Sequence, residues 1–199
     1  MIISRKHSFI FIKTKKTAGS SVEKYLVNYL DPTTDICTGS NFDNTPRLGT
    51  FIKNGNHIGA SWVAENYPIE WKNYFKFAIV RNPWDTMVSF YFWYKIARNA
   101  IIAKHSFEHF LNCIDLNKFN DWHRYTLHDN IIVDKIIKYE SLHEDFQNIP
   151  VPYNNELLEI FLKSGYRQVK NYQELYTNET KSKIEKSFSN VIEEFGYRF

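Results

Sequence analysis

At 199 residues the chain has enough sequence for one substantial core and too little for two, so a single domain over 1–199 is expected. Hydrophobic residues at 43% and charged residues at 24% are those of a soluble globular protein, and the first apolar stretch, Phe9 to Ile12, is far too short for a signal peptide or membrane span, which makes the expected location cytoplasmic. A net charge of +3 suits anionic small ligands but is too mild for a polyanion, and with no basic run beyond Lys13-Thr14-Lys15-Lys16 a nucleic-acid-binding module is excluded.

The first predicted element is a buried strand over roughly 8–13, with Phe9-Ile10-Phe11-Ile12 as its apolar core. It runs into Lys13-Thr14-Lys15-Lys16-Thr17-Ala18-Gly19-Ser20-Ser21, a turn of cationic, hydroxylated and small residues. A helix follows, with an inward stripe of Val22, Tyr25, Leu26, Tyr29 and Leu30, and it stops before Pro32. A strand feeding a helix through such a loop is an anion cradle. Amides at a helix start carry partial positive charge, Lys16 adds a point charge, and Thr17, Ser20 and Ser21 offer hydroxyls. Ala18 and Gly19 let the backbone come close to a phosphate or sulfate. The basic run from Lys13 to Lys16 is read as part of this cradle. The glycines of the Walker A loop are missing, so a nucleotide hydrolase of that type is not indicated.

From Thr33 to Asn56 the chain is rich in Asn, Thr, Gly and Pro and weakly patterned, which predicts a long loop, a lip over the site. Gly55-Asn56-His57-Ile58-Gly59-Ala60-Ser61 then sets a histidine in a turn, and a histidine's ordinary pKa suits proton abstraction near neutrality. Phe75 to Val80 is a second buried strand. Arg81 leaves its carboxyl end, where ligands bind in open α/β sheets. Pro83 opens the next helix, Met87, Val88 and Tyr91 give it a buried stripe, and Ser89 lies about two turns along. An arginine so placed can grip a phosphate with two parallel charge-assisted hydrogen bonds, or can simply be salt-bridged at the strand end.

His105-Ser106-Phe107-Glu108-His109 has the H-x-x-E-H spacing of inverted zinc proteases, but Phe107, Phe110, Leu111 and Ile114 make it an ordinary packing helix, and no metal is assigned. His123 and His128 match no pattern. A third strand over roughly 135–140 ends at Glu140, and Ser141 with Glu144 reads as a capping box for a short helix before Pro150. The last helix is expected to bury Ile184, Phe188, Val191, Ile192 and Phe195 and to stop at Gly196. Strands alternating with helices predict an α/β protein, a central parallel sheet flanked by helices in three layers. Two cysteines without a C-x-x-C read as buried thiols in a reduced compartment. Aromatic residues reach 17%, which serves a core or a sugar-stacking cleft equally well.

Lys16-Thr17-Ala18-Gly19-Ser20-Ser21 resembles the 5′-phosphosulfate-binding loop of the sulfotransferase superfamily, P-K-T-[GA]-[GS]-[TS]-[ST], with Lys15 in place of the proline. Arg81-Asn82-Pro83 with Ser89 resembles that superfamily's 3′-phosphate segment, R-[DN]-P-x-x-x-x-x-S. His57 to Ala60 is similar to the H-x-x-A segment of the carbohydrate-type branch and its compact bacterial relatives, and Ile136 to Leu142 to that branch's late strand. Tyr172 to Thr177 and Phe195 to Phe199 are similar to its tail, although Gln173 stands where arginine is common. The resemblance implies a P-loop-like fold and the donor 3′-phosphoadenosine 5′-phosphosulfate (PAPS), released as PAP, with no obligatory metal ion. It implies in-line transfer of a sulfuryl group to an acceptor hydroxyl, expected on a glycan or polysaccharide. Lys15, Lys16, Thr17, Ala18, Gly19, Ser20 and Ser21 would hold the 5′ end of the donor, Arg81 and Ser89 its 3′-phosphate, and Lys16 and His57 would be catalytic, with Glu140 as rival base. Arg167 and Lys170 lie where the family closes a loop over the nucleotide, though a solvated basic turn reads the same. A catalytically inactive nucleotide-binding relative and a small-molecule kinase remain as other readings.

Overall fold

The computed structural model describes residues 1–39, 45–49, 55–97, 101, 104–154 and 168–199. The chain divides into two compact units, one of Met1–Val80 with His123–Leu162 and the other of Arg81–Trp122 with Lys163–Phe199. Arg167 and much of the expected lip, residues 40–44 and 50–54, lie outside the described residues.

The first unit is built on a five-stranded sheet ordered β3-β1-β2-β4-β7. Its strands are β1 (Ile2–Ser4), β2 (Phe9–Ile12), β3 (Ile36–Cys37), β4 (Phe75–Val80) and β7 (Lys135–Lys138), while β5 (Thr126–Leu127) and β6 (Asn130–Ile131) form a separate hairpin. The three strands expected from their apolar runs are β2, β4 and β7. They pair in parallel, with Phe11 beside Phe77 and Val80 beside Lys138, so their carboxyl ends share one edge of the sheet. The sheet is thus mostly parallel and flanked by helices, as expected of the fold class, but not wholly so. β1 runs antiparallel to both neighbours, because only the turn 5–8 joins it to β2 and a parallel return needs a crossover of a dozen or more residues. β3 falls within the stretch expected to be loop. Two residues show no period, and what fixes this strand is the wholly buried Asp35, whose carboxylate accepts from Ser4 Oγ (2.9 Å) and the amides of Arg5 (2.7 Å), Lys6 (3.1 Å) and Asp31 (3.0 Å).

Helix α1 (Gly19–Leu26) carries Val22, Tyr25 and Leu26 into the core and continues as a 3-10 turn, Val27–Tyr29. Helices α2 (Ala60–Asn66) and α3 (Pro68–Asn73) lead into β4, and α6 (Leu142–Gln147) follows β7. The expected capping box on α6 is absent: Ser141 makes no cap bond to the helix backbone, and its hydroxyl donates instead to Asp145 Oδ2 (2.8 Å), a carboxylate that also takes the Lys138 amide (3.1 Å). Ser141 ends the 3-10 turn Tyr139–Ser141 with φ −119° and ψ 27°, not with the extended backbone that aims a cap oxygen at the helix amides. Much of the aromatic surplus is core. Phe11 stacks on Phe77 at 4.9 Å, and Phe146 meets Phe77 edge-on at 5.8 Å.

The second unit contains α4 (Pro83–Phe92), which runs on as a π-helical turn, Trp93–Ala97, then α5 (Phe107–Cys113), α7 (Asn178–Ser187) and α8 (Ser189–Phe195). The single last helix expected is two, broken at Phe188 (φ −122°, ψ 22°). Ile184, Phe188 and Val191 keep their i, i+4, i+7 spacing across the break and are buried, while Ile192 and Phe195 are only partly so. Gly196 ends α8 with φ 64°, the left-handed turn that glycine permits at least cost. Ser106 caps α5 by accepting the His109 amide (3.2 Å), Phe107, Phe110 and Leu111 are buried, and His109 Nε2 lies 3.4 Å from Cys113 Sγ. Cys113 is exposed rather than buried, because it sits on the outer face of that helix; Cys37 is the buried thiol, pushed up to about 11 by burial and by Glu23. Among the described residues no helix is long and apolar enough to cross a membrane.

Candidate functional site

The loop between β2 and α1 has the backbone of an anion cradle. Lys16 (φ 62°) and Ala18 (φ 61°) both adopt left-handed conformations, a costly choice for residues with a Cβ, and such alternation turns successive amides to one side. Ala18 caps α1 through its carbonyl, which accepts from the amides of Ser21 (2.8 Å) and Val22 (3.1 Å), so the Gly19 and Ser20 amides precede the helix's own bonds. Thr17 is buried, and its hydroxyl is spent inward, 2.8 Å from Thr14 Oγ1 and 3.3 Å from Thr14 O. Thr14 Oγ1 in turn donates to the Ile79 carbonyl of β4. That relay ties the loop to the central strand. Ser20 stays partly exposed.

Lys13 departs from the expected cradle. Its side chain turns into the protein, where its ammonium bridges Glu23 of α1, and both residues are all but inaccessible. Glu23 Oε1 also accepts from the Met1 nitrogen (3.1 Å) and Thr38 Oγ1 (3.1 Å). Burial alone would push this carboxyl up, but the Met1 amine and the Lys13 ammonium together outweigh it and hold the carboxyl below its ordinary range. The Lys13 stem explains Gly19. A Cβ at Gly19 would stand 2.9 Å from Lys13 Cγ and 3.2 Å from the Thr14 carbonyl, and Lys13 is anchored at its far end. Gly19→Ala, which in an ordinary helix gains about 1 kcal/mol, is expected here to destabilise by about 1–3 kcal/mol as overpacking, read from urea unfolding midpoints.

His57 lies in the same unit, just before α2. Its Nδ1 is 3.0 Å from the Lys13 carbonyl. A carbonyl only accepts, so the proton of a neutral ring sits on Nδ1 and the lone pair on Nε2, the tautomer a base needs. From the other side Arg124 Nη1 donates to the His57 carbonyl. Ala60, the last residue of the H-x-x-A segment, is fully buried as the first residue of α2. Glu140 sits in the 3-10 turn Tyr139–Ser141 after β7 and is exposed.

The second unit places Arg81 and Ser89 before and along α4. Arg81 Nε (2.8 Å) and Nη2 (2.6 Å) both meet Asp85 Oδ2, so the guanidinium is salt-bridged one turn into its helix. The pair fixes the plane of the guanidinium. Asn82 explains the middle of R-N-P: its Oδ1 accepts the amides of Trp84 (3.0 Å) and Asp85 (3.3 Å) as the N-cap, with Pro83 at the first helical position. Its Nδ2 donates to the Arg198 carbonyl (3.0 Å) and Tyr172 Oη (3.3 Å), which binds the tail motif to the start of α4. Tyr176 completes the tie by donating to the Trp84 carbonyl (2.8 Å), and burial, then Asp85 and Tyr172, pushes its phenol well above the ordinary range. Gln173 and Lys170 are exposed.

The structure therefore gathers the loop and His57 in one unit and Arg81 with Ser89 in the other. Lys13 and Thr14, expected in the cradle, serve the loop's inner side instead, and the sequence assigns no role to Glu23, Asp85 or Arg124. Glu23 beside Val22 on an apolar stripe was the one available signal, a charge that must find a partner; Arg124 offered none. The family model of the sulfotransferase family matches residues 1–195 of the chain. No curated protein matches it.

Proposed function

The chain belongs to the sulfotransferase family, and from that premise we propose that it moves a sulfuryl group from PAPS to a hydroxyl of a carbohydrate, with His57 as base. The observation that supports this reading best is the His57 Nδ1 bond to Lys13 O, because it leaves Nε2 as acceptor on a residue tied to the entry of the anion loop. In the proposed step the acceptor oxygen attacks sulfur in line as the bond from sulfur to the 5′-phosphate oxygen breaks. The hydroxyl proton passes to His57 Nε2. The electron pair leaves with the phosphate, where Lys16 and the amides of Gly19 and Ser20 offset the growing charge. Lys15 and the Ser20 and Ser21 hydroxyls complete that end of the donor site, with Thr17 and Ala18 contributing backbone.

Arg81 and Ser89 are assigned to the donor's 3′-phosphate, with Asp85 presenting the guanidinium. Calorimetry tests this without any acceptor. Wild-type protein is expected to bind 3′,5′-diphosphoadenosine at least about tenfold more tightly than 5′-AMP, from one or more hydrogen bonds to a charged group, and Arg81→Ala to bind the two almost equally. Equal wild-type affinities sink the PAPS assignment, and preference for ATP with Mg²⁺ moves the kinase reading forward. Transfer of label from donor to a panel of glycans separates an enzyme from an inactive relative and tests the acceptor class.

A further inference from the structure

Lys13 touches three parts of the site at once. Its carbonyl accepts from His57 Nδ1 at 3.0 Å, its stem passes beneath Gly19 where a Cβ would come within 2.9 Å, and its ammonium is bound to Glu23 of α1. The side chains of Lys13 and Glu23 are 3% and 0% exposed, so neither can reach a ligand. Nor is stability a sufficient reason for the pair. Removing two charges from water costs about what their attraction returns, and well-packed apolar residues usually serve a core as well. What an ion pair supplies, and a pair of methyl groups does not, is a fixed direction.

We propose that Lys13 and Glu23 are positioning residues for the transfer: their buried ion pair clamps the Lys13 peptide so that its carbonyl keeps His57 in the Nδ1–H tautomer. This rests on the reading of His57 as base. The neighbouring backbone makes such a clamp necessary, because Lys16 and Ala18, only a few residues on, sit in left-handed conformations that a loop leaves readily unless anchored. α1 supplies the anchor, since Glu23 is itself fixed by Thr38 Oγ1 and the Met1 nitrogen as well as by Lys13. The Lys13 peptide is thus tied to a helix through one side chain, and the histidine is tied to that peptide.

The test uses the full chain labelled with ¹⁵N-histidine, the His57 resonances being assigned from their loss in His57→Ala. In wild type the nitrogen shifts are expected to show a protonated Nδ1 and a bare Nε2; a wild-type ring with its proton on Nε2 overturns the proposal outright. Lys13→Met keeps the stem and removes the ammonium, leaving Glu23 with Thr38 and the Met1 nitrogen. Lys13→Met/Glu23→Gln removes both charges while keeping an acceptor for those two partners. In each, the His57 shifts are expected to move toward a mixture of tautomers, turnover to fall about tenfold to a hundredfold as a positioning loss, and the acidic limb of the pH–rate profile to move. The double variant should be no worse than the single one. Variants that retain wild-type His57 shifts, turnover and pH limb refute the clamp. Failure of the base reading looks different: His57→Ala then keeps its turnover and acidic limb, whatever the tautomer measured in wild type.

Discussion

Replacing His57 by Ala is expected to lower turnover by about 10²–10⁴ with little change in donor affinity, the range for a positioned general base. The physical basis is the proton's path. With Nδ1–H committed to the Lys13 carbonyl, the only ring atom able to take a proton is Nε2, and protonation of Nε2 at low pH removes that capacity. Turnover should therefore fall on the acidic side in wild type, and this limb should vanish in the variant. Steady-state rates from pH 5 to 9 on both proteins, with calorimetric affinity for 3′,5′-diphosphoadenosine as control, make the comparison. An acidic limb that survives in His57→Ala assigns the base elsewhere, with Glu140 the first residue to replace. Loss of nucleotide affinity in step with turnover would instead make His57 a part of the loop's architecture. The Arg124 bond to the His57 carbonyl guards against that outcome, because it fixes the backbone independently of the imidazole.

The central strands were legible because burial on both faces demands continuous apolar runs, and Phe9 to Ile12 and Phe77 to Val80 are such runs. The loop between β2 and α1 was legible because a run of small and hydroxylated residues separates an apolar strand from a helical stripe. What the sequence hid falls into two physical kinds. Very short elements have no period: β3 is two residues long and exists because a buried carboxylate, Asp35, gathers donors from Ser4, Arg5, Lys6 and Asp31 around it. Choices between competing partners are the second kind. Ser141 has the spacing of a helix cap but not the extended backbone of one, and Lys13 belongs to a basic run but finds a buried glutamate, so each local rule yields to its surroundings. Arg81 shows both outcomes in one residue. It ends a strand, as a phosphate ligand in such a sheet should, and it is salt-bridged to Asp85, as a structural arginine would be. A guanidinium has five N–H donors, and those on Nε and Nη2 meet Asp85 Oδ2.

Lys16→Ala is expected to lower turnover by about 10²–10³, the usual loss when one preorganised electrostatic group is taken from a transition state. Lys13 is withdrawn into its ion pair with Glu23, so Lys16 takes on more of the cradle's charge than the four-residue basic run suggests, with Lys15 beside it in the place of the family's proline. The substitution itself should be quiet. Lys16 has φ 62°, a conformation that alanine and lysine resist about equally, so the backbone strain is unchanged and the unfolding midpoint should stay close to wild type. Affinity for 3′,5′-diphosphoadenosine should weaken less than turnover falls, because charge on the leaving phosphate develops most in the transition state and a group aimed at it acts there. Single-turnover rates with labelled donor and acceptor, beside calorimetry on the product nucleotide, separate the two effects. If the variant keeps more than about a third of wild-type turnover, the leaving group is stabilised by the loop amides alone. If affinity and turnover fall by equal factors, Lys16 is a binding residue with no special hold on the transition state.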